Sequence, residues 1–395
     1  MGVIQIITPK SSVLAEEPLS RTKQVISAKA FASEAHVPIQ VYHNNGVVGY
    51  SKITAQNFAY ESDTTASFLQ KIEMLWLYGK WNNLSLPGWN GYIERLSGNS
   101  MDFSITRILF LPFIPQPASD YNTIYTTLLC ALENAKRYGH DVCIVTFDQP
   151  LYTKAREIVA AAPEGSDLAK IVIRLGGFHL LSTFSGAIGY IMRGSGIKEV
   201  LSFIYAPNSL DKMLTGHACA RAVRAHILLY LTLATIISKE LVIDDDMDAN
   251  LQNTTEDVKN STISYNDIEN CDEKIEALIY QCNKKLKQYE GRGSTGKLWI
   301  QYLHMVSIAK EFIGAESMGD WQAHLNCVKE MIPYFHASGH YTKSTYLYLQ
   351  DMLQLENLID PSVFRRFIQG FLTVRYSAKF SCGTSTDMII EQSLM

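Results

Sequence analysis

The chain has 395 residues and a formal net charge of -4, with 47% hydrophobic and 19% charged residues. At roughly 150 residues per domain, this length gives room for two or three compact units and excludes a single small module. The apolar content excludes a disordered chain. The slightly acidic balance excludes a global electrostatic attraction to nucleic acid, so any contact with DNA must be local.

Cellular location is constrained by three features. The cysteines are scattered without a C-x-x-C pair, which argues against a disulfide framework and a zinc ribbon. The N-terminus has no basic segment ahead of a long apolar run, so it is a poor secretory signal. The apolar stretch 226–237 is shorter than a membrane span and is typical of a buried helix. We therefore expect a nuclear or cytoplasmic protein that is neither secreted nor bound to a membrane.

The N-terminal part predicts little regular structure. Residues 1–62 alternate short apolar runs with Pro, Ser and Gly, which predicts short strands or irregular segments. Helical spacing of apolar residues predicts a helix over 67–81, and Pro87 and Gly88 interrupt the chain after it. The run 105–114 is almost wholly apolar, which predicts a strand covered on both faces.

Strands and helices alternate in the next segment. The pattern first predicts a helix over 121–138 capped by Asp120 and a strand over 142–147 that leads into Asp148. A helix opened by Pro150 and a strand over 171–175 follow, and this strand ends at the segment Gly176-Gly177-Phe178-His179. This alternation is typical of an α/β unit with a partly parallel sheet.

Helical periodicity dominates beyond His179. The acidic, polar stretch 244–270 interrupts it and has the composition of a solvated linker. A strand within 371–377 and a final helix, capped by Thr386 or Asp387, complete the predicted elements.

One segment of the sequence matches the pattern of a phosphate-binding loop. Residues 291–297, GRGSTGK, satisfy the pattern G-x-x-x-x-G-K. A working loop follows an apolar strand and has Ser or Thr after the lysine to hold magnesium, whereas here polar residues precede it and Leu298 follows. We interpret the phrase as a turn between two helices.

Three residues are candidates for metal binding or catalysis. Asp148 lies at the carboxyl end of a predicted inner strand, where it can hold a divalent metal or simply cap the next helix. Glu391 follows Asp387 by four residues on the last helix, so the two carboxyls can share a face, although a solvated acid is the default interpretation. His179 stands at a strand-to-helix transition and is either structural or catalytic.

Several phrases between residue 71 and the end carry a family resemblance. They resemble an uncharacterised protein family that is present in many copies in invertebrate genomes and is associated with mobile elements. The phrases are FLPFIPQPASDYNTIYTTL, VTFDQPLYTKAREI, VIRLGGFHLL, YAPNSLDKMLTGHACARAVRAH, YFHASGHYTKSTYLYLQDML and STDMIIEQSLM.

A looser similarity links the same segments to RNase H-like transposases of the Mutator-like and hAT type. In those enzymes a strand ends in a catalytic acid, and an all-helical insertion separates it from a final helix that bears a glutamate. CIVTFDQPLYTKA is similar at Asp148, TDMIIEQ at Glu391, and GGFH at the position of a supporting pair, here His179.

The resemblance implies an α/β plus all-α fold. An RNase H-like mixed sheet core would span 63–195 and 371–395, interrupted by a helical insertion over 196–370. Such enzymes carry a first catalytic acid on an opening strand, and the apolar N-terminal runs of this chain have none. The resemblance therefore implies a core that is incomplete at the N-terminus and a catalytically incomplete copy of a transposase.

The resemblance also implies roles for the three candidates. Asp148 and Glu391 would be catalytic metal ligands for Mg or Mn if the copy is active, and His179 would support them. DNA would be the partner, and the sequence leaves open whether the chain forms a homo-oligomer.

A second hypothesis is a non-enzymatic helical protein-binding module. Its interaction surface would be the aromatic residues from Tyr341 to Tyr348. Convergence of Asp148 and Glu391 would favour the nuclease hypothesis, whereas an exposed apolar groove with the two acids far apart would favour the binding module.

Overall fold

The computed structural model describes residues 1–7, 27, 37–43, 68–97, 105–140, 142–270, 273–340 and 342–394. Helix accounts for 66% of the structure and strand for 7%. Most of the predicted irregular segment 1–62 lies outside the described residues, and its described part includes a short strand, Ile4–Ile7.

The strands of the described residues form three separate pairs. The pairs are β1 (Ile4–Ile7) antiparallel to β2 (Arg107–Phe110), β3 (Cys143–Phe147) parallel to β4 (Ile171–Leu175), and β5 (Val374–Arg375) antiparallel to β6 (Gly383–Thr384). In the parallel pair Phe147 lies opposite Leu175, so both strands end at the same edge.

The predicted RNase H-like mixed sheet core is wrong, because the described strands do not join into one sheet. β2 pairs with β1 instead of extending the β3 and β4 pair. Leu109 and Phe110 of β2 are exposed, whereas the sequence predicted a strand covered on both faces. An apolar run identifies a strand, but its partner is chosen by contacts that a local pattern does not contain.

Helices make up the rest of the described chain. The first half contains α1 (Phe68–Trp81), α2 (Trp89–Leu96), α3 (Tyr121–Arg137), α4 (Gln149–Ala161), α5 (Gly177–Ile191), α6 (Ile197–Ser202), α7 (Pro207–Leu214) and α8 (Cys219–Ser238). The second half contains α9 (Asp245–Lys259), α10 (Tyr265–Asn270), α11 (Glu273–Glu290), α12 (Ser294–Met318), α13 (Trp321–Ser338), α14 (Thr342–Leu353), α15 (Pro361–Ile368) and α16 (Thr386–Leu394). A short 3-10 helix spans Asp167–Lys170 and a π-helical turn spans Leu355–Ile359.

A large apolar cluster surrounds the parallel strands. Every residue of β4 is buried, and the packed helices contribute fully buried aromatic side chains such as Phe184 and Phe312. Helices α4 and α14 pack against β4, and α16 packs against β3. β4 is therefore enclosed by helices, which explains its apolar sequence without a larger sheet, whereas β3 is covered on one face and exposes Ile144 on the other.

A second apolar cluster joins α1, α2, α9, α10 and α11. The stretch 244–270 was predicted as a solvated linker, and this is wrong because it folds as α9 and α10. Leu251, Thr255 and Val258 follow helical spacing and are fully buried. The acidic residues occupy the first turn of α9, where negative charge complements the positive end of the helix dipole.

Two other interpretations from the sequence can be checked against the fold. The segment 291–297, which matches the phosphate-binding loop pattern, lies where α11 ends and α12 begins. This confirms the predicted turn between two helices. Among the described helices, α8 is long and apolar enough to cross a membrane by length and composition. Within its apolar stretch, 22% is buried inside the structure. Since α8 packs against α5 and α12, this is weak evidence for a span.

The burial of α9 leads to a stability prediction. We expect Leu251→Ala to lower the free energy of unfolding by about 2–5 kcal/mol, because it removes a fully buried side chain and leaves a cavity. Val242→Ala, at a side chain that is 84% exposed, is the matched control and should change little. Urea denaturation measures both. Equal, small effects would mean that the acidic stretch is a solvated linker after all.

Candidate functional site

Four titratable side chains from three distant segments lie at the carboxyl edge of β3 and β4. His179 contacts Asp387 and Glu391, and Asp148 is close enough for its charge to act on His179. Asp148 follows β3, and His179 lies in the first turn of α5, which follows β4. Gly176 N–H donates to the carbonyl of Phe147 at 2.8 Å, which continues the strand pairing up to this edge. Helix α16 packs against α5 and brings Asp387 and Glu391 to the same place.

Asp387 makes the most contacts in this cluster. Its Oδ1 accepts from Phe178 N–H and its Oδ2 from His179 N–H, each at 3.0 Å. Nδ1 of His179 also lies 3.0 Å from Oδ2. The carboxylate thus caps α5 from a distant part of the chain and also binds the imidazole of His179.

The imidazole of His179 has one engaged nitrogen and one open nitrogen. With Nδ1 bonded to Asp387, its Nε2 lies 3.7 Å from Oε1 of Glu391, and the side chain is 33% exposed. The hydrogen bond that His179 donates to Asp387 raises the pKa of His179, and the charges of Asp387, Asp148 and Glu391 add to this against the effect of burial. This arrangement presents a proton carrier that a carboxylate orients, as general acid-base catalysis requires.

The two glycines before Phe178 make this approach possible. A Cβ on Gly176 would collide with the carboxylate of Asp387. A Cβ on Gly177 would lie 3.0 Å from Oε2 of Glu316 and from Oγ of Ser385. At Gly176 a side chain would displace Asp387, and at Gly177 it would need Glu316 and Ser385 to shift by a few tenths of an ångström, because polar groups pack directly against the backbone.

Asp148 caps a helix, as one of its two interpretations predicted. Its Oδ1 accepts from Leu151 N–H at 3.0 Å, at the first turn of α4. Among the described residues no hydrogen bond engages its Oδ2. Asp148 also lies close enough to His179 for its charge to raise the pKa of the imidazole. The cap and a role in the cluster are therefore compatible.

A metal site is not preformed among these residues. Across the described ranges, no group of three His, Cys, Asp or Glu side chains is arranged to hold a metal ion. Asp387 is committed to its three hydrogen bonds, which leaves Asp148 and Glu391 as the carboxylates with free capacity in the cluster. Their role as metal ligands stays a prediction.

The sequence reasoning missed two parts of this region. It treated Asp387 as a local cap, but the aspartate caps α5 and orients His179. It did not identify Glu316, which is buried beside Gly177. The signal that was available is the glycine pair, since two adjacent glycines after a strand indicate a close approach to the backbone.

Within the described residues 342–348, the aromatic side chains of the alternative hypothesis do not form an exposed surface, since Tyr346 is half-buried and Tyr348 is buried. Tyr348 is fully buried, and its ring packs edge-on against Tyr152 and His324. Leu347 and Leu349 are buried as well, and Tyr341 lies outside the described residues.

The close approach at Gly176 yields a testable substitution. We expect Gly176→Ala to lower the free energy of unfolding by about 1–3 kcal/mol, because the added methyl group displaces Asp387 from buried hydrogen bonds. Gly88→Ala is the matched control, since Gly88 also precedes a helix with extended backbone and its Cβ would meet open space. Urea denaturation compares the two, and equal losses would contradict the proposed approach of Asp387.

The raised pKa of His179 predicts a pH dependence of stability. Because the folded pKa lies above the ordinary 6.5, the folded state keeps the proton when the unfolded state has lost it. The stabilising effect is complete below pH 6.5 and is lost as the pH rises through the folded pKa. The difference in unfolding free energy between the wild type and His179→Gln should therefore shrink from pH 6 to pH 9. Denaturant titrations across this range measure it, and a constant difference would contradict the ion pair.

Comparison with known proteins identifies a family without an assigned role. No curated protein and no solved structure matches the chain. A family model described as a domain of unknown function, DUF8702, matches residues 88–395. This range contains all four clustered residues and most of the chain, and the protein belongs to the DUF8702 family.

Proposed function

We propose that the protein cleaves or joins phosphodiester bonds of DNA at the cluster of Asp148, His179, Asp387 and Glu391. The observation that carries the proposal is the meeting of these side chains at one strand edge, although they come from widely separated segments. A proton carrier with carboxylates beside it supplies the groups that phosphoryl transfer uses.

His179 would transfer the proton in this reaction. Asp387 fixes the ring through Nδ1, so that Nε2 is the nitrogen presented towards Glu391 and towards solvent. Because its pKa is raised, His179 keeps its proton to a higher pH than a free imidazole does. It would give this proton to the oxygen that leaves phosphorus when water or a 3' hydroxyl attacks.

The charge of the cluster supports a requirement for a divalent cation. The cluster contains three carboxylates and one imidazole, so it carries an excess of negative charge, which repels a phosphodiester. Magnesium is usually held by one or two carboxylates together with substrate phosphates, so Asp148 and Glu391 fit such a site without a preformed triad. Bound there, Mg²⁺ or Mn²⁺ would stabilise the negative charge that develops at phosphorus.

Two further considerations support DNA as the substrate. The looser similarity of the chain to transposases points to DNA as the substrate. The proposal departs from the catalytically incomplete copy which that similarity implies, because it rests on the cluster itself and needs neither the RNase H-like sheet nor a first catalytic acid on an opening strand. The chain as a whole is slightly acidic, so DNA binding would be local to the cation-loaded cluster. Such a role belongs in the nucleus, or in the cytoplasm before import.

Strand cleavage of supercoiled plasmid by the full chain tests the proposal. We expect nicking in Mg²⁺ or Mn²⁺ that is lost with a chelator. Asp148→Asn keeps a helix-capping side chain and removes the charge, and Glu391→Gln removes the second carboxylate. Each should lower the nicking rate by about 100-fold.

Asp244→Asn is the matched control. Asp244 caps α9 by accepting from Met247 N–H at 2.8 Å, away from the cluster, so its substitution should leave nicking unchanged. Equal nicking by wild type, Asp148→Asn and Glu391→Gln would contradict the assigned site. Absence of metal-dependent nicking in the wild-type protein would contradict the function.

A non-enzymatic binding role is the second candidate, and a patch of exposed apolar residues favours it. Phe203 is 90% exposed, and Val200 and Ile204 beside it are also exposed. Exposed apolar patches of this kind mark protein contacts, here with a second copy of the chain or with another protein. Under this function the wild-type protein would show no strand cleavage.

A further inference from the structure

A cavity of about 200 Å³ is lined by α5, α8, α12, α16 and residues 383–385. Most of its wall is apolar. The main apolar side chains that line it are Phe178, Leu181, Val223, Phe312, Ile313 and Met388. The cavity is partly open to solvent, and because an apolar wall favours an apolar occupant over water, it suits a small organic molecule.

One charged side chain interrupts the apolar wall. Glu316, on α12, lines the cavity and is itself almost completely buried, with 4% of its surface exposed. Its Oε1 lies 2.7 Å from Nδ1 of His324 and 3.5 Å from a guanidinium nitrogen of Arg174. Its Oε2 has no hydrogen-bond partner among the described residues. A buried carboxylate oxygen without a donor costs free energy, which a bound donor would recover.

The charges around Glu316 select the kind of donor. Arg174 is fully buried and balances the negative charge of Glu316. Burial lowers the pKa of His324, so its ring is neutral, and its Nε2 faces the hydroxyl of Tyr348 at 2.9 Å. Since the carboxylate is already balanced by a guanidinium, a neutral donor fits better than an ammonium group, which would lose its hydration.

The volume of the cavity limits the size of the ligand. An apolar protein cavity of about 150 Å³ is known to bind benzene, so about 200 Å³ holds one ring with a short substituent. We propose that this cavity binds an uncharged, single-ring molecule whose hydroxyl group donates to Oε2 of Glu316. The site is separate from phosphodiester chemistry and does not depend on it.

Titration calorimetry on the full chain with benzyl alcohol and toluene tests the site. The two probes have similar shapes, and toluene lacks the hydroxyl group. We expect saturable binding of benzyl alcohol that is about tenfold tighter than that of toluene, which corresponds to one net hydrogen bond. Equal affinities would overturn the role of Glu316, and absence of benzyl alcohol binding would overturn the site.

Two substitutions localise the binding. Val223→Trp fills the cavity and should abolish binding of both probes, whereas Val242→Trp, at a position that is 84% exposed, should leave it unchanged. Binding that survives Val223→Trp would place the ligand elsewhere and overturn the proposal. Glu316→Gln should reduce the preference for the alcohol. If that variant does not fold, the probe pair on the wild-type protein still decides the question.

Asp148→Asn separates this inference from the proposed nuclease. The substitution leaves the cavity wall intact, so benzyl alcohol should bind as in the wild type even when nicking is lost. Loss of benzyl alcohol binding in this folded variant would contradict the independence of the two sites.

Discussion

The carboxylate of Asp387 is the contact that holds the candidate site together. It joins the last described helix to the first turn of α5, more than two hundred positions earlier in the chain, through three hydrogen bonds. A buried carboxylate needs this many donors, because otherwise the loss of hydration is not compensated. The first turn of a helix supplies such donors at a positively polarised end. Placement of α16 and orientation of His179 therefore depend on the same interaction.

The surrounding architecture makes that contact possible. β3 and β4 end at one edge, so Asp148 and the glycine pair start from neighbouring positions. The glycines let polar groups approach the backbone, Asp387 at one position and Glu316 at the next. The cluster and the cavity thus share the wall formed by α5 and α16, although their chemistry differs. The cluster is charged and partly open to solvent, whereas the cavity is apolar with one buried acceptor.

Two buried charged side chains, Arg174 and Glu316, lie next to the cavity. Arg174 belongs to β4, and its guanidinium lies against Glu316, against the ring of Phe367 and against a backbone carbonyl of Leu372. A buried arginine is tolerated because several acceptors and an aromatic face replace its hydration. The network links β4, α12, α13 and α15, which is consistent with one continuous apolar cluster around the parallel strands.

Local chemistry alone determined much of the secondary structure. Asp120 and Asp148 cap the helices that their sequence positions predicted, and β4 spans the predicted residues, because caps and apolar runs act over a few neighbouring residues. The sequence also identified Asp148, His179 and Glu391 as residues of interest. Tertiary structure decided the rest. The pairing of β2 with β1, the burial of α9 and the hydrogen bonds of Asp387 arise from contacts between distant segments, which local periodicity does not encode.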